Sequence, residues 1–131
     1  MPVRSLRSSV MRWPGRDEVD RAIREWAHTA ASQDPRALRI GYFGSYARGD
    51  WGVGSDLDLV VVVASSEQPF ERRGSGWYPK GVPVPVDVLV YTLDEWERLQ
   101  ETSPFARRAA DETIWVYVRA GSPDGQREHG S

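Results

Sequence analysis

The chain has 131 residues, a formal net charge of −2, 40% hydrophobic and 27% charged residues, and no cysteine. That is one domain's length; the missing cysteines exclude a disulfide scaffold, a thiol nucleophile and sulfur-ligated zinc, and the near-neutral total argues against gripping nucleic acid by bulk positive charge. Two histidines, His28 and His129, are too few for a histidine-rich metal cluster, which leaves 19 carboxylates, the hydroxyls and 17 basic residues, Lys80 the single lysine among them.

Residues 1–13 carry Arg4, Arg7 and Arg12 without an acid and read as a flexible basic arm. From Asp17 to Ser32, Val19, Ala22, Ile23, Trp26, Ala27 and Ala30 recur at helical spacing, with Asp17 and Glu18 favourable in the first turn. Gln33-Asp34-Pro35 ends that helix, and Ala37–Phe43 is a short strand ending at Gly44. After a glycine-punctuated stretch, Asp56–Val63 is a second strand, apolar on both faces apart from two aspartates, as in the middle of a sheet. The 18 residues from Ala64 to Gly81 form a long connection, expected to be functional or mobile.

Val82–Tyr91 is a third strand whose start lies at an edge or outside the ladder, because Pro83 and Pro85 have no N–H to donate. Thr92-Leu93-Asp94-Glu95 is a capping box opening a helix to about Gln100. Phe105–Asp111 forms a further helical turn or two, and Thr113–Val118 a last strand. The order predicts an α+β domain over 14–119, a small mixed sheet with helices packed on one side, followed by a disordered tail at 120–131. The longest apolar run, Leu59–Ala64, is far below the ~20 residues of a membrane span. A cytoplasmic protein is expected.

The chemistry concentrates at Gly44-Ser45-Tyr46-Ala47-Arg48-Gly49-Asp50 and Ser55-Asp56-Leu57-Asp58-Leu59-Val60. Strand side chains alternate, so Asp56 and Asp58 project from one face, roughly 6.6 Å apart. Two like charges in an apolar strand are costly unless something neutralises them, and a divalent cation does so directly. Asp87, within Val86-Asp87-Val88-Leu89-Val90, repeats the anomaly, and three carboxylates on neighbouring strands suit a two-metal site for phosphoryl chemistry. With ten aspartates in the chain an Asp-x-Asp pair alone says little. Its specificity comes from the Gly-Ser upstream.

That pattern, apolar-Gly-Ser, a gap, Asp-apolar-Asp-apolar and a later apolar-Asp-apolar, resembles the nucleotidyltransferase superfamily that includes DNA polymerase β. Its short Phe-Gly-Ser…Ala-Arg-Gly-Asp…Ser-Asp-Leu-Asp-Leu-Val form is similar to the minimal nucleotidyltransferases of prokaryotes, over about Ile40–Tyr91. The resemblance implies a polymerase β palm-like fold in which Gly44 and Ser45 hold the terminal phosphates of a nucleotide and Arg48 faces the triphosphate. It implies that Asp56, Asp58 and Asp87 bind two Mg²⁺ ions (Mn²⁺ as substitute), Asp87 near the attacking hydroxyl. The reaction implied is in-line transfer of an NMP, AMP from ATP, to an acceptor hydroxyl with release of pyrophosphate.

The resemblance also implies a partner, either a small helical HEPN-type protein in a toxin–antitoxin module or a second copy of the chain. The alternative is a binding module that keeps the fold and neutralises a partner by complex formation. Trp51 could stack on a base, but a packing role is preferred. Phe70, Arg72, Arg73, Trp77, Tyr78 and Lys80 mix aromatics with cations, a composition that suits a protein interface better than a nucleic acid.

Overall fold

A computed structural model describes residues 13–120; apart from Trp13 and Ala120, the expected arm and tail lie outside the described residues. Helix α1 (Arg16–Gln33) buries Val19, Ile23 and Ala27 of the expected stripe together with Ala31, while Ala22, Trp26 and Ala30 are half-buried; Asp17 and Glu18 stand in its first turn. Strand β1 (Ala37–Phe43) leads through the short helix α2 (Ser45–Arg48) to β2 (Leu57–Val63). Beyond β2 come a helical turn α3 (Phe70–Arg73), a 3₁₀ turn (Gly74–Trp77), β3 (Val86–Thr92), α4 (Leu93–Thr102), α5 (Pro104–Glu112) and β4 (Ile114–Val118).

The four strands form one mixed sheet in the order β3-β2-β1-β4. β1 is antiparallel to β2 and to β4, whereas β2 and β3 run parallel. A parallel pair cannot be joined by a hairpin, so the chain must cross back over the sheet between them. The long connection after Val63 is that crossover, and it is ordered by packing. Trp77 meets Trp26 of α1 edge to face, Phe70 lies 5.2 Å from Tyr91 between ring centroids, and the Arg73 side chain is only 9% exposed. Arg73 donates to Glu95 Oε1 at 2.6 Å and to the carbonyls of Gln68 and Val90. Much of the aromatic–cation mixture expected at an interface thus holds the crossover to β3 and α4, although Phe70 and Tyr78 keep exposed surface.

Two expected strand starts move inward. β2 begins at Leu57 and not at Asp56. β3 begins at Val86, after both prolines, with the Pro85 carbonyl accepting from the Leu57 N–H at 2.9 Å. The helices also differ from the one-sided packing expected. Ile40, Tyr42, Leu57, Leu59, Val61 and Val63 pack with α1 in one core cluster. Val60 and Val62 pack with Trp96 of α4 in a second, flanked by Phe43, Tyr91, Ala110 and Trp115. Alternation along β2 sends these two sets to opposite faces, so a strand apolar on both faces needs helices on both.

The capping box forms as read: Thr92 Oγ1 accepts from the Glu95 N–H, and Glu95 Oε1 accepts from the Thr92 N–H. Ser103 caps α5 in the same manner, with Pro104 in its first turn. Among the described residues no helix is long and apolar enough to cross a membrane.

Candidate active site

Strand β1 ends at Phe43, and the chain must then reverse sharply into α2. Gly44 makes the turn at φ 82°, and Gly49 ends α2 in the left-handed region at φ 92°. A Cβ on Gly44 would overlap Asp58 Oδ2. The Gly-Ser turn therefore lies directly against the first aspartate of β2 proper. Ser45 is half-buried, and its hydroxyl makes no hydrogen bond among the described residues.

The turn is held from behind by residues that sequence reasoning missed. Arg16 of α1 donates from Nε to the Tyr46 carbonyl and from Nη2 to the Ala47 carbonyl, both at 2.8 Å. Buried Tyr46 donates its hydroxyl to the Pro14 carbonyl at 2.8 Å and stacks on Trp51 at 5.4 Å between centroids, 9° from parallel. Trp51 is thereby a packing residue. Trp13, placed by sequence in the basic arm, packs against the core and donates its indole N–H to the Ser55 carbonyl at 3.2 Å. The connection that delivers Asp56 is pinned at both ends.

A cleft of about 550 Å³ opens where the Gly-Ser turn faces α5. Phe43, Gly44, Ser45, Arg48 and Asp58 line it from the sheet side, and Phe105, Arg108, Ala109 and Glu112 from α5. These last four fall at i, i+3, i+4 and i+7, one face of a helix. That periodicity was available in the sequence, but nothing local said which surface the face would meet. Glu112 Oε2 accepts from the Gly44 N–H at 2.9 Å and pairs with Arg48 Nη1 at 3.3 Å. Arg48 also pairs with Asp50 at 3.2 Å.

Asp58 is half-buried, whereas Asp56, just ahead of β2, and Asp87, on the edge strand β3, are exposed. The expectation of three carboxylates inside core strands is corrected to one, because Asp56 precedes β2 and Asp87 lies on an edge strand. Asp58 and Asp87 are nevertheless partners in the parallel register. Burial, followed by the negative charges of Asp56 and Asp87, pushes the Asp58 carboxyl up to about 6. Among the described residues no group of three or more His, Cys, Asp or Glu side chains is disposed to hold a metal ion. The donor chemistry still fits a hard divalent cation: carboxylate oxygens only, with their mutual repulsion concentrated on Asp58.

A mixed four-stranded sheet with a Gly-Ser turn against an aspartate-bearing strand is a nucleotidyltransferase-type architecture. A profile of the nucleotidyltransferase domain matches residues 24–116, and the chain belongs to that family, as its resemblance to the minimal nucleotidyltransferases implies. No curated protein matches the chain. Among solved structures, a Sulfolobus solfataricus protein assigned as a nucleotidyltransferase superposes with TM-score 0.59 at 22% identity, over 82% of this chain and 86% of that one. A structure of a toxin–antitoxin with AMP-PNP overlaps more loosely, with TM-score 0.47 at 16% identity over 74% of each chain. The first likeness concerns the fold, and the second is too loose to bear on function.

Proposed function

We propose that the chain transfers an NMP, AMP from ATP, to an acceptor hydroxyl with release of pyrophosphate, in a cytoplasmic setting. One observation carries this reading: Gly44 and Ser45 turn against Asp58, and Asp58 stands in register with Asp87. The close packing of Gly44 brings backbone N–H groups and the Ser45 hydroxyl next to the carboxylates, where a phosphate chain and its cation would meet. Arg48 at the cleft wall supplies positive charge to the phosphates.

Asp56, Asp58 and Asp87 are the residues that would hold Mg²⁺, whose chemical contribution is to neutralise charge developing on the transferred phosphate. Asp87 lies on the edge strand and is open to an incoming acceptor; its carboxylate takes the proton of the attacking hydroxyl. The acceptor oxygen bonds to the α-phosphorus as the bond from that phosphorus to the pyrophosphate oxygen breaks. The acceptor belongs to a separate protein, a helical HEPN-type partner or a second copy of this chain. Phe105, 70% exposed on the cleft wall, offers that partner an apolar contact.

The test is pyrophosphate release and label transfer from α-labelled ATP, with and without partner, for the parent protein and for Asp58→Asn and Asp87→Asn. Loss of transfer in both variants is expected; unchanged transfer sinks the assignment. One observation favours the second reading, a fold that acts by binding alone: Phe105 leaves a large apolar side chain exposed beside the cleft, where a partner protein could cover it. Calorimetry with Mg²⁺-ATP separates the two, since the binding module gives no heat.

A further inference from the structure

The Glu112 carboxylate sits where two influences oppose a negative charge. It is the last residue of α5, the end of a helix at which acids are unfavourable. It also adds to the repulsion that lifts the Asp58 carboxyl. Among the described residues, the Gly44 N–H and the Arg48 guanidinium hold it there, through the same oxygen, Oε2. Those are two of the groups assigned above to phosphate, and the Glu112 side chain is 29% exposed, so it has water to move into.

We infer that Glu112 is an internal competitor for the phosphate position: it occupies the Gly44 N–H and Arg48 until a phosphate oxygen displaces it, and so sets the affinity for the nucleotide's phosphates. The inference rests on the proposed phosphate-binding role of the Gly-Ser turn and adds a residue outside the Gly-Ser and aspartate motifs. An occluded site binds with its intrinsic affinity scaled by the fraction of time it is open. A carboxylate that holds the site nine-tenths of the time would weaken apparent binding about tenfold.

The test is calorimetric titration with inorganic pyrophosphate, without divalent cation, of the parent protein, Glu112→Gln, Glu112→Asp and Asp111→Asn. Glu112→Gln keeps an oxygen for the Gly44 N–H but loses the charge; Glu112→Asp keeps the charge but draws it back by one methylene. Asp111 is exposed one position earlier on α5, so its variant controls for net charge. About tenfold tighter binding is expected for Glu112→Gln, a smaller gain for Glu112→Asp, and less than a twofold change for Asp111→Asn. The Gly44 amide resonance provides a second readout: it moves on Glu112→Gln, and moves again with pyrophosphate.

Binding to the parent protein with no gain in either Glu112 variant, or an equal gain in Asp111→Asn, overturns this inference and leaves the proposed function standing. Absence of pyrophosphate binding in every protein, together with absence of nucleotidyl transfer, overturns both.

Discussion

Asp58 of β2 and Asp87 of β3 are paired residues of a parallel ladder, so their side chains leave the sheet on the same face, one on a central strand and one on an edge. Only the central one loses water. Asp58 is fixed against Gly44, whereas Asp87 is open to solvent.

The raised Asp58 pKa gives a pH dependence with a defined sign. Folded Asp58 keeps its proton up to about pH 6, against 3.8 for an ordinary aspartate, so folding takes up a proton between those values. Its contribution is most favourable below 3.8, declines as pH rises to about 6, and stays low above. Urea-unfolding midpoints of the ligand-free protein across pH 3.5–7 (roughly the span of this titration) should carry this decline, and Asp58→Asn should remove it. Divalent-cation affinity should run the other way, rising as pH passes through about 6.

Asp58→Asn should also separate stability from activity. Removing a charge that burial and two neighbouring carboxylates oppose raises the thermal midpoint at pH 7, while Mg²⁺-nucleotide binding and transfer are lost. Differential scanning calorimetry alongside the transfer assay checks both halves. A midpoint that falls would show that Asp58 makes a stabilising contact in the ligand-free protein.

Gly44→Ala meets two obstacles: the left-handed φ of 82° and overlap of the new Cβ with Asp58 Oδ2. That backbone conformation, φ 82° with ψ −153°, is essentially confined to glycine, and holding another residue in it costs about 1–3 kcal/mol. A stability loss of roughly 2 kcal/mol is therefore expected, with at least tenfold weaker nucleotide binding. Gly52→Ala is the control, since a Cβ there meets nothing within 4 Å and should leave both properties unchanged.

Arg73→Ala removes the tie between the crossover, the Val90 carbonyl and Glu95. Charge-assisted hydrogen bonds of this kind are each worth about 1.5–3 kcal/mol when only one partner is removed, and partial exposure of Glu95 lowers the figure. A loss of about 2 kcal/mol is expected, with faster hydrogen exchange across 70–77 and little change at the Gly44 amide.

The parts of this fold that could be read in advance are those in which one stretch of chain carries its own explanation. The bounds of β1, the stripe of α1, the Thr92–Glu95 capping box and the exclusion of Pro83 and Pro85 from the ladder are local facts. The Gly44-Ser45 turn and Asp58 were legible because their spacing is distinctive, and the structure puts them in contact. Glu112 was not legible: it reaches Gly44 from 68 residues away, and an acid at a helix end has many ordinary readings. Arg16 and Trp13 were missed for the same reason, since their partners are backbone carbonyls, which no side-chain pattern marks. The two-faced packing of helices was implied by the doubly apolar β2 but obscured by the short, weakly marked α5.

The hold of Trp13, Pro14 and Arg16 on Ser55, Tyr46 and Ala47 makes the start of the described chain a mechanical handle on the site. A substitution at Trp13 or Arg16 acts through these contacts on the span between the Gly-Ser turn and Asp56. Loosening those ties would shift the Gly-Ser turn relative to Asp56 without altering either one.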